Sequence, residues 1–364
     1  MRVGLIISGD LDALSGHHLY ARHLVEHLRN NGDSVEVFSL PRAGYARQLV
    51  NNLSTGLAQR VQAARLDVLL QDEMTHPGLL RLNRRLRGTV PVVTLVRRLH
   101  SVEPHSPGEQ DFYRLIERRY LASVAGFICH SATTQQAVYQ MLDRTELARS
   151  VVISPGGDRF GQQITPESIA QRARKPGPLR LVFVGNIIRR KGLLILLEAL
   201  LKLPPGTCHL IVVGNTELEP QYMRVVYHLL MVTNLTGVTL AGQVADAELA
   251  AILAQSDVLV VPAEYEGFGI VYLEGMGFGL PAIGTTSGGA GEIIEDGVNG
   301  YLLPPNDATA VAHCLMNLAA DRAKLARLSL AARERFSAQP GWNDSMARAR
   351  EALLNWTDNL TDKA

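Results

Sequence analysis

The sequence predicts an α/β protein built as two Rossmann-like halves joined by a short linker. Apolar, β-forming runs alternate with segments of helical period along most of the chain, the pattern of right-handed βαβ units and parallel sheets. The alternation stops between Pro155 and Pro178, where the composition shifts to Gly, Pro, Gln and Arg, and then restarts. A length of 364 residues is enough for two domains of ordinary size. The expected boundaries are 1–160 for the first domain, 161–178 for the linker, 179–340 for the second domain and 341–364 for a C-terminal segment. Ligands in such sheets sit beyond the carboxyl ends of the strands, so two halves facing each other would make a cleft.

In chain order, Arg2 to Ile7 reads as a buried strand and Ser8 to Gly16 as a loop. His17 to Asn30 has helical spacing and is ended by Asn31-Gly32. Strands are expected at Val35–Leu40, Asp67–Leu70, Val90–Val96, Phe127–Cys129 and Val151–Ser154, and helices at Ala46–Ala64, Leu79–Leu86, Gln110–Ser123 and Thr133–Leu142. Beyond the linker, strands are expected at Leu181–Val184, Leu210–Val213, Val238–Ala241, Val258–Val261 and Ala282–Gly284. Helices are expected at Gly192–Leu203, Tyr222–Val232, Ala247–Gln255 and Gly269–Gly277.

The net charge of +1 hides an asymmetry. Residues 1–175 hold 22 Lys+Arg against 16 Asp+Glu, and residues 176–364 hold 14 against 19. A basic first half suggests an anionic partner there. Arg81, Arg84, Arg85 and Arg87 lie among leucines on one expected helix, and Arg114, Arg118 and Arg119 on another, a pattern suited either to an anionic lipid surface or to an ordinary solvated face. Cys129, Cys208 and Cys314 show no metal or redox spacing and read as core residues in a reducing compartment. No uncharged apolar run reaches the roughly 18 residues a membrane span needs. A cytoplasmic protein is expected, with peripheral attachment to the inner membrane face as the alternative.

The densest chemistry lies between Glu264 and Glu295. Glu266-Gly267-Phe268-Gly269 forms a turn, Ile270 to Met276 follows with Glu274 inside it, and Gly279-Leu280-Pro281 stops it. A glycine-preceded helix start flanked by strands offers backbone N–H groups and a positive dipole end to an anion such as a diphosphate. Glu266 falls in the loop and Glu274 inside the helix.

This stretch resembles the retaining family-4 glycosyltransferases of GT-B architecture. Their mark is a carboxylate, seven intervening residues and a second carboxylate, matched here by Glu266, Gly267, Phe268, Gly269, Glu274, Met276, Gly279 and Pro281. Their following Gly-Gly and Asn-Gly pattern is matched from Gly288 through Gly300 to Leu302. The resemblance implies two Rossmann-like domains, with acceptor in the first and donor in the second, and a last helix crossing back to the first domain, for which Ser345 to Trp356 is the candidate. It implies transfer of a hexose from a nucleotide-diphosphate sugar, a UDP-sugar favoured over a GDP-sugar, to an acceptor hydroxyl without a metal or other cofactor. No D-x-D closes a strand and no histidine cluster shows ligand spacing. The acceptor is unnamed, with anionic or lipid-linked molecules as candidates, and no nucleic-acid partner is expected. The rival readings are a catalytically silent nucleotide-sugar-binding protein and a GT-B epimerase.

The same resemblance assigns residues. Glu266 faces the donor sugar, and Glu274 accepts hydrogen bonds from the ribose. The Phe268–Ile270 backbone, with Gly267 and Gly269, meets the diphosphate. Lys191 matches the family's phosphate-binding lysine, but Asn186 stands where the family has arginine, so Arg189 or Arg190 is left to compensate. Gly16 lies in the loop after the first strand that approaches donor phosphate or acceptor, with His17 on the acceptor side. Val244 lies in the loop passing the base. The family's histidine after the fourth strand is replaced by Arg97, so His100, His105 or Arg97 itself fills that place; His100 is taken as the catalytic candidate and Arg97 as an acceptor-side residue.

Overall fold

The computed structural model describes residues 1–11, 16–52, 56–103, 105–161 and 164–361, and it divides into two compact units, Met1–Pro155 with Gly341–Ala364, and Gly156–Pro340. In the first unit the strands are β1 (Arg2–Ser8), β2 (Ser34–Leu40), β3 (Val68–Asp72), β4 (Val92–Val96), β5 (Gly126–Cys129) and β6 (Ser150–Val152). Its helices are α1 (Gly16–Asn30), α2 (Tyr45–Asn51), α3 (Gly56–Ala63), α4 (Leu80–Leu86), α5 (Pro107–Leu121) and α6 (Ala132–Met141). The strands form one all-parallel sheet in the order β2-β1-β3-β4-β5-β6. Parallel strands covered on both faces are largely apolar, and Val3 to Ile7, β3, β4 and β5 are buried along their length, with Gln71, Asp72 and Thr94 as polar exceptions.

The second unit begins with α7 (Pro166–Arg174) and continues β7 (Leu179–Val184), α8 (Leu193–Leu201), β8 (Cys208–Val213), α9 (Pro220–Thr233), β9 (Val238–Gly242) and α10 (Asp246–Gln255). It then runs through β10 (Val258–Val260), α11 (Ile270–Gly277), β11 (Ala282–Thr285), β12 (Gly300–Leu303), α12 (Ala308–Ala320) and α13 (Arg322–Ser337). Its sheet is also all-parallel, ordered β12-β11-β10-β7-β8-β9. One apolar core, with Phe183, Tyr272 and Met276 among its buried side chains, fills this unit.

The final helix, α14 (Trp342–Thr361), returns to the first unit and lies along α1. Trp342, Met346, Ala349 and Leu353 recur at helical spacing and are all buried, which is the stripe that seats it. On the same helix Arg350 donates from Nε to the buried Asp33 at 2.6 Å.

Several elements differ from the sequence reading. The helix expected over Ala46–Ala64 is two helices, with residues 53–55 outside the described set. The expected linker contains α7. Thr165 caps it by accepting from the Ser168 amide, Ile169 and Ala173 are buried, and Arg172 ties it to the carbonyls of Phe278 and Gly279 at 2.7 and 3.0 Å. A polar, proline-flanked composition therefore hid a packed amphipathic helix.

Candidate functional site

In the second unit β7 is followed in sequence by β8 and β9 on one side, while β10 pairs with its other side. The gap beyond the carboxyl ends of β7 and β10 is thus a topological switch point, where open α/β sheets bind ligands. The segments that leave these two strands carry the predicted residues. After β7 come Asn186, Arg189, Arg190 and Lys191, and after β10 come Glu266 and the start of α11.

These segments are tied together. The Glu264 amide donates to the Arg190 carbonyl at 2.8 Å, and Arg190 Nη1 donates to the Tyr265 carbonyl at 2.7 Å. Lys191 Nζ donates to Glu266 Oε2 at 2.5 Å, and Arg190 Nη1 lies 3.8 Å from the same oxygen. Arg189 instead is exposed, and its backbone N–H is capped by Glu219 at 3.0 Å. Asn186 is exposed on the turn between the Gly185 and Ile187 backbone bonds. The structure thus brings Arg190, rather than Arg189, beside Lys191 and Glu266. Two cations then stand against one carboxylate, at a site suited to an added anion.

Backbone geometry fixes this loop. Gly269 precedes α11 with φ +91°, and a Cβ there would lie 2.5 Å from the Tyr272 ring. Gly288 has φ +86°, and its Cβ would meet the Glu266 carbonyl at 2.1 Å. The Glu266 carbonyl accepts from the Gly289 amide at 2.7 Å, and Tyr272 Oη donates to the Val261 carbonyl at 2.9 Å. Gly267, Phe268 and Gly269 are buried in this turn, and Ile270 opens the helix. The first amides of an α-helix have no intrahelical acceptor, so this end presents N–H groups next to the cation pair.

Glu274 lies one turn further along α11 and is 4% exposed. Its Oε1 accepts from Arg159 Nη1 at 3.3 Å, and Arg159 also pairs with Asp246 at the start of α10. Burial pushes the Glu274 carboxyl up, and Arg159 pulls it back down. Val244 is a half-buried loop residue between β9, which ends Leu240-Ala241-Gly242, and α10, two positions before Asp246.

The first-unit residues are arranged differently. Gly16 and His17 open α1, and Ser15 lies outside the described residues. Arg97, just past β4, pairs with Asp72 at 3.1 Å and Glu73 at 2.9 Å at the end of β3. These two carboxylates of its own unit hold the guanidinium in place. Burial pushes the Glu73 carboxyl up to about 8, Arg97 opposes the rise and Asp72 adds to it. His100 stacks on Tyr45 with ring centroids 5.6 Å apart, and burial lowers its pKa to about 4, helped by His105 and Arg98. Its amide and that of Ser101 donate to Glu117 at 2.5 and 3.0 Å. His105 bonds the His100 carbonyl at 2.8 Å.

His100, Glu103 and His105 place potential metal-ligand atoms within 4.8 Å of one another, a grouping that linear spacing did not reveal. Arg98 already pairs with Glu103, so an added cation there would meet a guanidinium. Sequence reasoning also missed Arg159, Asp72, Glu73, Tyr45 and His76. The available signals were an arginine in a glycine-rich turn, Gly156-Gly157-Asp158-Arg159, and two acidic residues at a strand's carboxyl end.

Residues 178–321 match the family model described as Glycosyl transferases group 1. The chain is 30% identical over 188 residues to glycogen synthase of Mycobacterium tuberculosis, a match covering 51% of this chain and 44% of that protein. The chain thus spans about half the length of the curated relatives it matches. Among solved structures, sucrose-phosphate synthase from Thermosynechococcus elongatus superposes with a TM-score of 0.82 at 22% identity, covering 98% of this chain and 99% of that one. HepE of Anabaena, solved with UDP and glucose, gives 0.75 at 22% identity, covering 97% and 99%. These likenesses show the GT-B fold.

Proposed function

We propose that this chain, which carries a Glycosyl transferases group 1 domain on a GT-B fold, is a retaining glycosyltransferase. It moves a hexose from a nucleotide-diphosphate sugar, UDP-sugars first, to an acceptor hydroxyl. The observation that carries the reading is the Arg190–Lys191–Glu266 cluster beside the α11 N-terminus at the switch point of the second sheet. The UDP preference draws on HepE, whose structure holds UDP and glucose.

In this scheme the acceptor oxygen bonds to the anomeric carbon as the bond from that carbon to the diphosphate oxygen breaks. The acceptor proton passes to the leaving phosphate, and attack comes from the same face. Lys191, Arg190 and the Phe268–Ile270 amides meet the charge that grows on the diphosphate. That charge is met by the protein's own cations, which supports a metal-independent reaction. Glu266, held by Lys191, faces the sugar. Glu274, oriented by Arg159, accepts from the ribose hydroxyls. The first unit receives the acceptor.

Among the described residues no helix is long and apolar enough to cross a membrane. Exposed Phe112 and Leu115 beside Arg114 on α5, and the exposed arginines of α4, support contact with an anionic membrane face, reached from the cytoplasm. The test of function is thermal-shift screening with UDP, GDP and ADP, followed by transfer assays with labelled sugar nucleotides. A ligand at a hundredfold its Kd adds about 2.7 kcal/mol of stability. The reading predicts stabilisation by UDP and sugar transfer; binding without transfer or hydrolysis would leave a nucleotide-sugar-binding protein.

A further inference from the structure

The first unit contains a cavity of about 250 Å³ beyond the ends of β3 and β4, lined in part by Tyr45, Gln48, Glu73, His76, Arg98, His100 and Glu117. Its hydrogen-bonding polarity follows from the contacts. His76 Nδ1 lies 2.7 Å from the Glu73 carbonyl, which can only accept, so Nδ1 carries the proton. His76 Nε2 is then an acceptor, and the Tyr45 hydroxyl, 2.8 Å away, donates to it. The Tyr45 oxygen is left with lone pairs alone. Gln48 uses one amide N–H on the Ala43 carbonyl at 2.9 Å, leaving its carbonyl oxygen as an acceptor and its second N–H as a donor. Glu73 Oε1 is buried without a hydrogen bond of good geometry, although Arg97 lies 2.9 Å away.

The charges around the cavity do not favour an anion. Arg97, with Glu73 beside it, is matched by Asp72, and Arg98, which lines the cavity, by Glu103, while Glu117 is a further carboxylate held by two amides. An anionic ligand would sit beside these carboxylates with the nearby guanidinium charge already met. The Tyr45 ring, stacked with His100 and edge-on to Tyr113 at 4.7 Å, gives the cavity an aromatic wall.

We infer that this cavity binds the acceptor through a neutral, hydroxyl-rich ring, a glycosyl or cyclic polyol unit that donates hydrogen bonds to Tyr45 Oη, the Gln48 carbonyl and Glu73. This rests on the glycosyltransferase reading and narrows its acceptor to an uncharged ring at the point of binding. The basic surface of the first half then serves some other contact than this pocket.

The test is saturation-transfer NMR and calorimetry on the full chain with methyl α-glucoside, methyl α-mannoside and myo-inositol, set against glucose 6-phosphate and glucuronate. At least one neutral ring should bind, the charged rings should bind at least tenfold more weakly, and Tyr45→Phe and Gln48→Ala should each weaken neutral-ring binding about threefold to tenfold. Circular dichroism and unchanged UDP affinity would show that both variants remain folded. Equal or tighter binding of the charged rings, no binding of any neutral ring, or binding unaffected by both substitutions would overturn the inference. Neutral-ring binding without sugar transfer from any nucleotide donor would retain the pocket and reject the catalytic reading instead.

Discussion

The carboxyl ends of the two parallel sheets carry opposite electrostatics. In the first unit, Asp72, Glu73 and Glu103 are matched by Arg97 and Arg98, and Glu117 holds backbone amides. In the second, Arg190 and Lys191 outnumber Glu266 beside a helix N-terminus. The sheets set the position of each site, and the few residues leaving each strand set what it binds. A charge lost from the first unit should therefore show mainly in stability, and one lost from the second mainly in activity.

The largest stability effect should come from Arg97→Ala. It leaves buried Asp72 without its cation and Glu73 without its guanidinium neighbour, and breaking such a buried pair costs about 3–5 kcal/mol. Denaturant unfolding should show it, and a loss under about 1 kcal/mol, the range of an exposed pair, would mean the network is dispensable. In the second unit, Lys191→Ala should lower kcat about a hundredfold to a thousandfold, more than it raises KM. Arg190→Ala should also be severe, Arg189→Ala mild, and Asn186→Arg should partly rescue Lys191→Ala. Steady-state kinetics showing Arg189→Ala to be the severe variant would reverse the assignment made from Arg190's contacts.

Glu274→Ala should weaken nucleotide binding about tenfold to a hundredfold, the loss of a charge-assisted hydrogen bond worth about 1.5–3 kcal/mol. Calorimetry showing unchanged affinity would remove Glu274 from the ribose role. A further effect concerns pH. The Glu73 carboxyl is raised from 4.5 to about 8, so between those values the folded chain holds a proton that the unfolded chain releases. This group's contribution to stability is present below about pH 4.5 and is lost as pH rises toward 8. Glu73→Gln should flatten that decline in a series of unfolding curves; an unchanged slope would contradict it.

Much of the second site was legible because its signals are local: a glycine turn before a helix, and a lysine after a strand. The choice of Arg190 over Arg189 was not, since it depends on which guanidinium reaches the Tyr265 carbonyl. Arg159 reaches Glu274 across 115 positions, and no spacing rule connects them. In the first unit, Arg97 was visible as a departure from the expected histidine, but its partners at the end of β3 are set by strand order rather than by sequence proximity. The alternation of strands and helices was clear wherever strands were wholly apolar, whereas the polar helix α7 was hidden by its linker-like composition.

Whether the switch point of the second sheet holds the diphosphate through Lys191 is decided by calorimetric titration of UDP and a UDP-sugar into the wild-type chain and Lys191→Ala. The terminal phosphate of UDP carries the charge that develops as the glycosidic bond breaks. Lys191→Ala should therefore weaken UDP binding about tenfold or more, and weaken UDP-sugar binding less. Equal UDP affinity in the two proteins would contradict that role for Lys191.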